Sequence, residues 1–371
     1  MIPYLLLIFI PFLFNFVSIK QYNKRQLCIG KGQSITQNSM ALPVFFIILI
    51  LILALRHETI GRDVIAYKSY FFRWSENSLS DFFPIQLESL FKVYNWVIGQ
   101  VSVDYQVYLA ITSLVTVLPI ALLYCEDRRN GYLKIILFVN MATFVMLFSG
   151  LRQAIAMAIG MIAYRFVRKK KLFPFLLLGL LALGVHHSAF MLFLMYPIYH
   201  MTIKKKHLII IIPVIVTVYI FKRQFFSFIV NILALISDKY TDAEISTTGA
   251  VTMLILFAIF AVFSYVIPDE RMVDKEIVGL RNLLLLALVM QCFAPLHSLA
   301  MRLNYYYILF IPILISKVLT VYKPVFRQVA VVGNYVMCIF FTMYYVMNTY
   351  LSYVTGISTL DTIPYLPFWE G

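Results

Sequence analysis

Apolar runs long enough to cross a bilayer recur along almost the whole chain, and short segments rich in Lys and Arg separate them. A helix needs roughly 20 residues to span the hydrocarbon, so runs of this length read as membrane spans. Composition agrees: of 371 residues, 62% are hydrophobic and only 13% charged, and the mean hydropathy of +0.86 is too high for a soluble interior. The first run, Ile2 to Val17, has no basic residue before it and no small-residue cleavage pattern after it, which reads as a retained helix. The expected fold is all-α, a polytopic membrane protein forming one integral domain over residues 1–371.

The net charge of +14 could suggest a nucleic-acid partner, but its placement points to topology instead. Lys20–Lys31, Glu126–Lys134, Arg165–Lys171, Lys204–Lys206, Asp269–Arg281 and Lys317–Arg327 hold 21 of the 31 basic residues and 6 of the 17 acids. The remaining segments are left with 10 basic and 11 acidic residues, so the whole excess lies on one face, and no nucleic acid is implied. By the positive-inside rule that face is cytoplasmic, with the N-terminus and Arg56–Tyr67 outside. The alternation gives about twelve spans, at 3–19, 40–55, 105–124, 134–149, 152–167, 172–186, 188–202, 207–221, 250–267, 277–294, 303–321 and 328–348. Residues 85–100 and 224–236 would reverse the orientation if they crossed, and are expected on the outer face as amphipathic or re-entrant helices; Gln86, Glu88 and Lys92 suit that position.

Spacing then locates polar groups in depth. Only 30 residues separate Lys134 from Arg165, both inside, so the chain crosses twice in arms of about 15 residues. Each arm covers roughly 22 Å of a ~30 Å core, so the turn Ser149–Gln153 should lie below the outer surface. The same arithmetic sinks Gly184–Ser188, carrying His186 and His187, and a hairpin turning at Pro295–His297 with Arg302 just beyond. Polar groups at such depth persist beside a water- or ligand-filled cavity. Arg56, His57, Glu58, Arg62 and Asp63 place five ionisable side chains in eight positions at the mouth of one helix, completing an outward-facing funnel. Arg supplies 6 of the 10 basic residues outside but 8 of 21 inside, and a planar guanidinium suits phosphate. With a histidine able to take a proton near neutral pH, the set fits a polyprenyl-diphosphate-linked substrate. Cys28, Cys125, Cys292 and Cys338 are scattered, so neither a disulfide nor a metal site is expected, and no cofactor.

Arg56, Gly61, Asp63 and Tyr67 fit R-x(4)-G-x-D-x(3)-Y, and this segment resembles the signature of EpsG-family, Wzy-type polysaccharide polymerases. Ser149–Ala156 is similar to the family's second motif, His186-His187-Ser188-Ala189 to its H-x-S-A motif, and Arg302–Tyr306 to its late R-x-x-Y. Thr commonly stands between the Gly and Asp, where this chain has Arg62. The resemblance implies a glycosyltransferase of the bacterial cytoplasmic (inner) membrane. It would join undecaprenyl-diphosphate-linked oligosaccharide repeat units at the outer (periplasmic) face, making O-antigen for lipopolysaccharide, capsule or exopolysaccharide. Membrane lipid, a chain-length regulator and a flippase are the partners it implies.

On that reading an acceptor hydroxyl attacks the anomeric carbon of the growing chain and undecaprenyl diphosphate leaves. Arg56, Arg62, Arg152 and Arg302 would hold the diphosphate; His186, then Asp63, then His187 are the candidate bases. His57, Tyr67, Gln153, Asn304 and Tyr305 are the candidate sugar contacts. Plainer roles stand beside these: Arg56 as a snorkelling helix anchor, Asp63 as partner to Arg62 or Arg56, Ser149 and Gly150 as a tight turn, Tyr305–Tyr307 as interfacial belt or core. Ser237–Gly249 could form a lid. An O-antigen ligase or a transporter or flippase of lipid-linked oligosaccharide are the rival functions; transport would favour ionisable residues at the midplane rather than on one side.

Overall fold

The computed structural model describes residues 1–29, 39–76, 88–234, 250–296 and 298–370; among these the chain is helical, with two isolated β-bridges and no strand. Gln86, His297 and the loop Ser237–Gly249 lie outside the described residues. Two compact units form, Met1–Phe190 with Val331–Gly371, and Met191–Ala330.

In the first unit the helices are α1 (Ile2–Ile29), α2 (Ala41–Ala54), α3 (Val64–Glu76), α4 (Ser89–Gly99), α5 (Tyr105–Tyr124), α6 (Gly131–Val139), α7 (Ala142–Ser149), α8 (Leu151–Arg168) and α9 (Leu172–Val185). The second holds α10 (Leu192–His200), α11 (Leu208–Ile220), α12 (Lys222–Ala234), α13 (Ala250–Val266), α14 (Lys275–Gln291), α15 (Ser298–Ile308) and α16 (Ile311–Val318). The last helix, α17 (Arg327–Thr355), belongs mostly to the first unit.

Each expected span coincides with helix, yet among the described residues only Tyr105–Tyr124 and Pro324–Thr355 are single helices long and apolar enough to cross a membrane. Two bent pairs would raise the number to four: Gly131–Val139 with Ala142–Ser149, bent by 64°, and Lys205–Ile220 with Lys222–Phe228, bent by 77°. Other runs form helices of 10–17 residues, such as Ala41–Ala54 and Leu172–Val185. The number twelve thus counts apolar runs, many of which fold into short or bent helices. The first bend has a visible cause. Asn140 spends its amide on the carbonyls of Ile136 (2.7 Å) and Phe341 (3.0 Å), competing with the helical ladder and tying the break to α17. The second turns α12, expected on the outer face, away from the line of α11.

Within each unit, several of the basic loops pair with one another. Arg165 and Arg168 both pair with Glu126, at 3.0 and 2.5 Å. In the second unit Lys205 and Arg281 both pair with Glu270, while Lys317 pairs with Glu276 at 2.9 Å. Backbone bonds from Asp269 to Val321 and from Lys323 to Ile267 join two of the same loops.

An aromatic core knits α3, α4, α5, α8 and α9: Tyr67 and Phe71, Phe91 and Ile98, Tyr105 and Tyr108, Leu151 and Ile155, and Val185 are all buried together. Fully burying one such ring contributes roughly 1.5–3 kcal/mol, so this cluster is a strong reason for the five helix ends to converge. α9 and α4 approach closely at Gly184, where an added Cβ would lie 2.6 Å from the Leu90 side chain, which would have to give way.

Candidate active site

The loop following α2 is gripped from two sides. On one side the C-terminal segment runs back along it: Phe368 N–H donates to Leu55 O, His57 N–H to Leu366 O, Gly61 N–H to Asp361 O and Arg62 N–H to Leu360 O, all within 2.8–3.0 Å. The Tyr365 hydroxyl adds a bond to Ile52 O at 2.9 Å. On the other side stands the last turn of α7. Arg56 donates from its guanidinium to the Phe148 carbonyl at 2.7 Å and lies 5.8 Å from the Phe148 ring centroid. Gly61 presses on the same carbonyl with φ +103°, where a Cβ would come within 2.1 Å of the oxygen. No side chain fits there, and an L-residue would be strained in that conformation in any case.

Two residues on, Asp63 accepts a hydrogen bond from the Ser149 hydroxyl at 3.1 Å, while its own N–H donates to Ser149 Oγ at 3.2 Å. The segment from Arg56 to Asp63 is therefore a clasp around Phe148 and Ser149, and the residues it secures lead directly into α8 through Gly150. Arg152 follows in the first turn of that helix, where unpaired N–H groups and the helix dipole favour a nearby anion.

Arg152 meets Glu88, which stands at the N-cap position of α4: the guanidinium to Glu88 Oε2 distance is 2.6 Å. The opposite oxygen, Oε1, takes His186 Nδ1 at 3.2 Å and the His187 N–H at 3.3 Å. Glu88 is 4% exposed, against 25% for Arg152 and 21% for His186, so a buried carboxylate sits behind two partly accessible cationic or basic groups. Burial alone would push the Glu88 carboxyl up; the His186 hydrogen bond and the Arg152 charge outweigh it and hold the group down at about 2. The Tyr67 and Phe91 rings flank Arg152, with centroids 5.9 and 5.8 Å from its guanidinium carbon.

Arg152, His186, Asp63 and Tyr67 thus converge within one unit, in two neighbouring groups linked by the start of α8. The other expected site residues are placed differently. Arg56 is 1% exposed, with its guanidinium on the Phe148 carbonyl, where it braces the α7 turn. Asp63 pairs with Ser149, not with Arg56. Arg62 faces solvent in an ion pair with Asp361 at 3.1 Å, both side chains more than half exposed. His57 Nδ1 is occupied locally by the Thr59 hydroxyl at 2.9 Å. His187 is exposed and supplies its backbone to Glu88, while Gln153 is 1% exposed and so closed to a sugar in this structure.

Arg302, Asn304 and Tyr305 belong to α15 in the second unit. Asn304 is fully buried, donating to Ala287 O at 2.9 Å and to Gln291 Oε1 at 3.0 Å, and Tyr305 is 8% exposed. Both side chains are buried in this structure. Glu88 is the residue that the motifs did not single out. Its signal was present as a lone carboxylate directly before an apolar helix, a position where a charge is buried only when paired.

No curated protein and no solved structure matches this chain. Residues 39–366 match the EpsG family, related to the Wzy-type polysaccharide polymerases, and this range takes in the clasp, Glu88, Arg152, His186 and most of the C-terminal segment. Covering most of its length, the match shows that the chain belongs to the EpsG family, whose members serve polysaccharide biosynthesis.

Proposed function

We propose that the chain polymerises oligosaccharide repeat units carried on a polyprenyl diphosphate, by glycosyl transfer at the outer face of the cytoplasmic membrane. The observation that carries this reading is the placement of Arg152 and His186 on opposite oxygens of one buried carboxylate, beside the clasped motif of an EpsG-family protein. The acceptor hydroxyl attacks the anomeric carbon of the growing chain, a new glycosidic C–O bond forms, and the C–O bond to the diphosphate breaks. The hydroxyl proton passes to His186, and the negative charge that grows on the departing diphosphate is met by Arg152 and the start of α8. Asp63, partly exposed beside Ser149, is the second candidate for the proton. Basic loops that pair with one another away from this cluster support an outward-facing site.

The test is the length of surface polysaccharide in a strain lacking the gene, complemented with wild type, Arg152→Ala or His186→Ala and read as a ladder on a gel. Single repeat units on the surface without the gene, and a ladder restored by wild type alone, support polymerisation. If no repeat unit reaches the surface without the gene, the protein acts in export or ligation and the proposal fails.

A further inference from the structure

We infer that Glu88 is the positioning residue of this site, fixing His186 as the tautomer protonated on Nδ1 with Nε2 left as the basic nitrogen. The inference rests on the reading of His186 as the proton acceptor and goes beyond it by naming the group that makes it one. Three contacts carry it. Oε1 of Glu88 faces His186 Nδ1 at 3.2 Å, the same oxygen takes the His187 N–H at 3.3 Å, and Oε2 takes the Arg152 guanidinium at 2.6 Å.

An ionised carboxylate can only accept hydrogen bonds, so the ring nitrogen facing it must be the donor. The acid is kept ionised, although 4% exposed, because Arg152 neutralises it and two N–H groups share its other oxygen. The downward shift of the Glu88 carboxyl agrees with this. Orientation is set as well as protonation. His186 is extended at the end of α9 (φ −154°, ψ 124°), and the next residue's amide binds the oxygen that its ring does. The ring is therefore held at Nδ1 while its backbone is held one peptide further on, which limits rotation about the side chain. One carboxylate so fixes both the base and the diphosphate-binding guanidinium, a preorganisation that neither residue could supply alone.

The chain has six histidines, so uniformly ¹⁵N-histidine-labelled full-length protein in lipid bilayers gives a countable set of ring signals. The His186 signal is the one lost in His186→Ala. At a pH near 9, where an ordinary imidazole is neutral, the wild-type signal should show Nδ1 protonated and Nε2 bare. Glu88→Gln and Glu88→Ala should move a substantial fraction to the Nε2-protonated form, with Glu88→Asp intermediate. An Nε2-protonated or doubly protonated wild-type ring overturns the inference, and beyond the His186→Ala spectrum used for assignment this arm needs no variant. In the complementation assay Glu88→Gln should shorten elongation at least tenfold at unchanged protein amount, and Glu88→Asp should recover part of it. Wild-type elongation by Glu88→Gln despite a changed tautomer would also overturn it. If the tautomer is as stated but His186→Ala elongates fully, the proton-acceptor reading fails while the placement of the ring by Glu88 stands.

Discussion

The Arg56–Asp63 clasp and the Glu88–Arg152–His186 cluster draw on the same residue types and use them differently. In the clasp, polar groups are spent on structure: Arg56 on the Phe148 carbonyl, Gly61 and Arg62 on the C-terminal backbone, Asp63 on Ser149. In the cluster, side chains face side chains, and Arg152 and His186 keep a fifth to a quarter of their surface open. An arginine in a motif is thus not by itself a ligand for phosphate. A guanidinium buried against a backbone carbonyl braces the fold; one paired with a carboxylate at an accessible edge keeps part of its own surface open.

The contrast can be broken by mutation. The largest effect is expected at Gly61, where Gly61→Val places side-chain atoms on the Phe148 carbonyl at a positive φ; folded protein in the membrane, read by detergent-solubilised size exclusion, should be lost almost entirely. Normal yield from this variant would show the clasp to be loose. Next, removing residues 357–371 takes away the bonds to Leu55, His57, Gly61 and Arg62 and should lower both the unfolding temperature and elongation.

The two arginines are then compared directly. Arg152→Lys keeps a positive charge for Glu88 but loses the planar fork, so elongation should fall tenfold or more while the yield of folded protein stays near wild type. Arg56→Leu leaves the Phe148 carbonyl unpaired and should cost about 1–3 kcal/mol of stability, seen as a lower unfolding temperature. If Arg56→Leu unfolds like wild type yet stops elongation, Arg56 belongs to the chemistry and the distinction collapses. The smallest effect is at Arg62: its exposed pair with Asp361 contributes roughly 0–1 kcal/mol, so Arg62→Ala should unfold within a degree or two of wild type. A larger drop would make this ion pair part of the clasp.

Much of this was legible before any coordinates. Hydrophobic runs and charge placement marked where helices start and stop, because 3.6-residue geometry and the exclusion of charge from apolar surroundings act locally along the chain. The hairpin arithmetic put a turn at Ser149–Gln153, and α7 ends at Ser149 while α8 begins at Leu151. The bend at Asn140 was not legible, since it depends on a carbonyl at Phe341, some 200 positions away. Nor was the helix α3, which carries Tyr67 to the site but is too polar and short to register as a span.

The sequence by itself determined the helical class and the candidate residues Arg152, His186 and Asp63, because these follow from residue type and spacing. Tertiary structure alone decided which polar groups were spent on the scaffold and which remained open. Arg56 and Arg152 look alike in the sequence, and Glu88 looks like a surface charge; only the packing of α4 against α8 and α9 shows that Glu88 joins Arg152 to His186. A hydrogen bond needs a partner within about 3 Å, and chain order does not specify which distant segment brings it there.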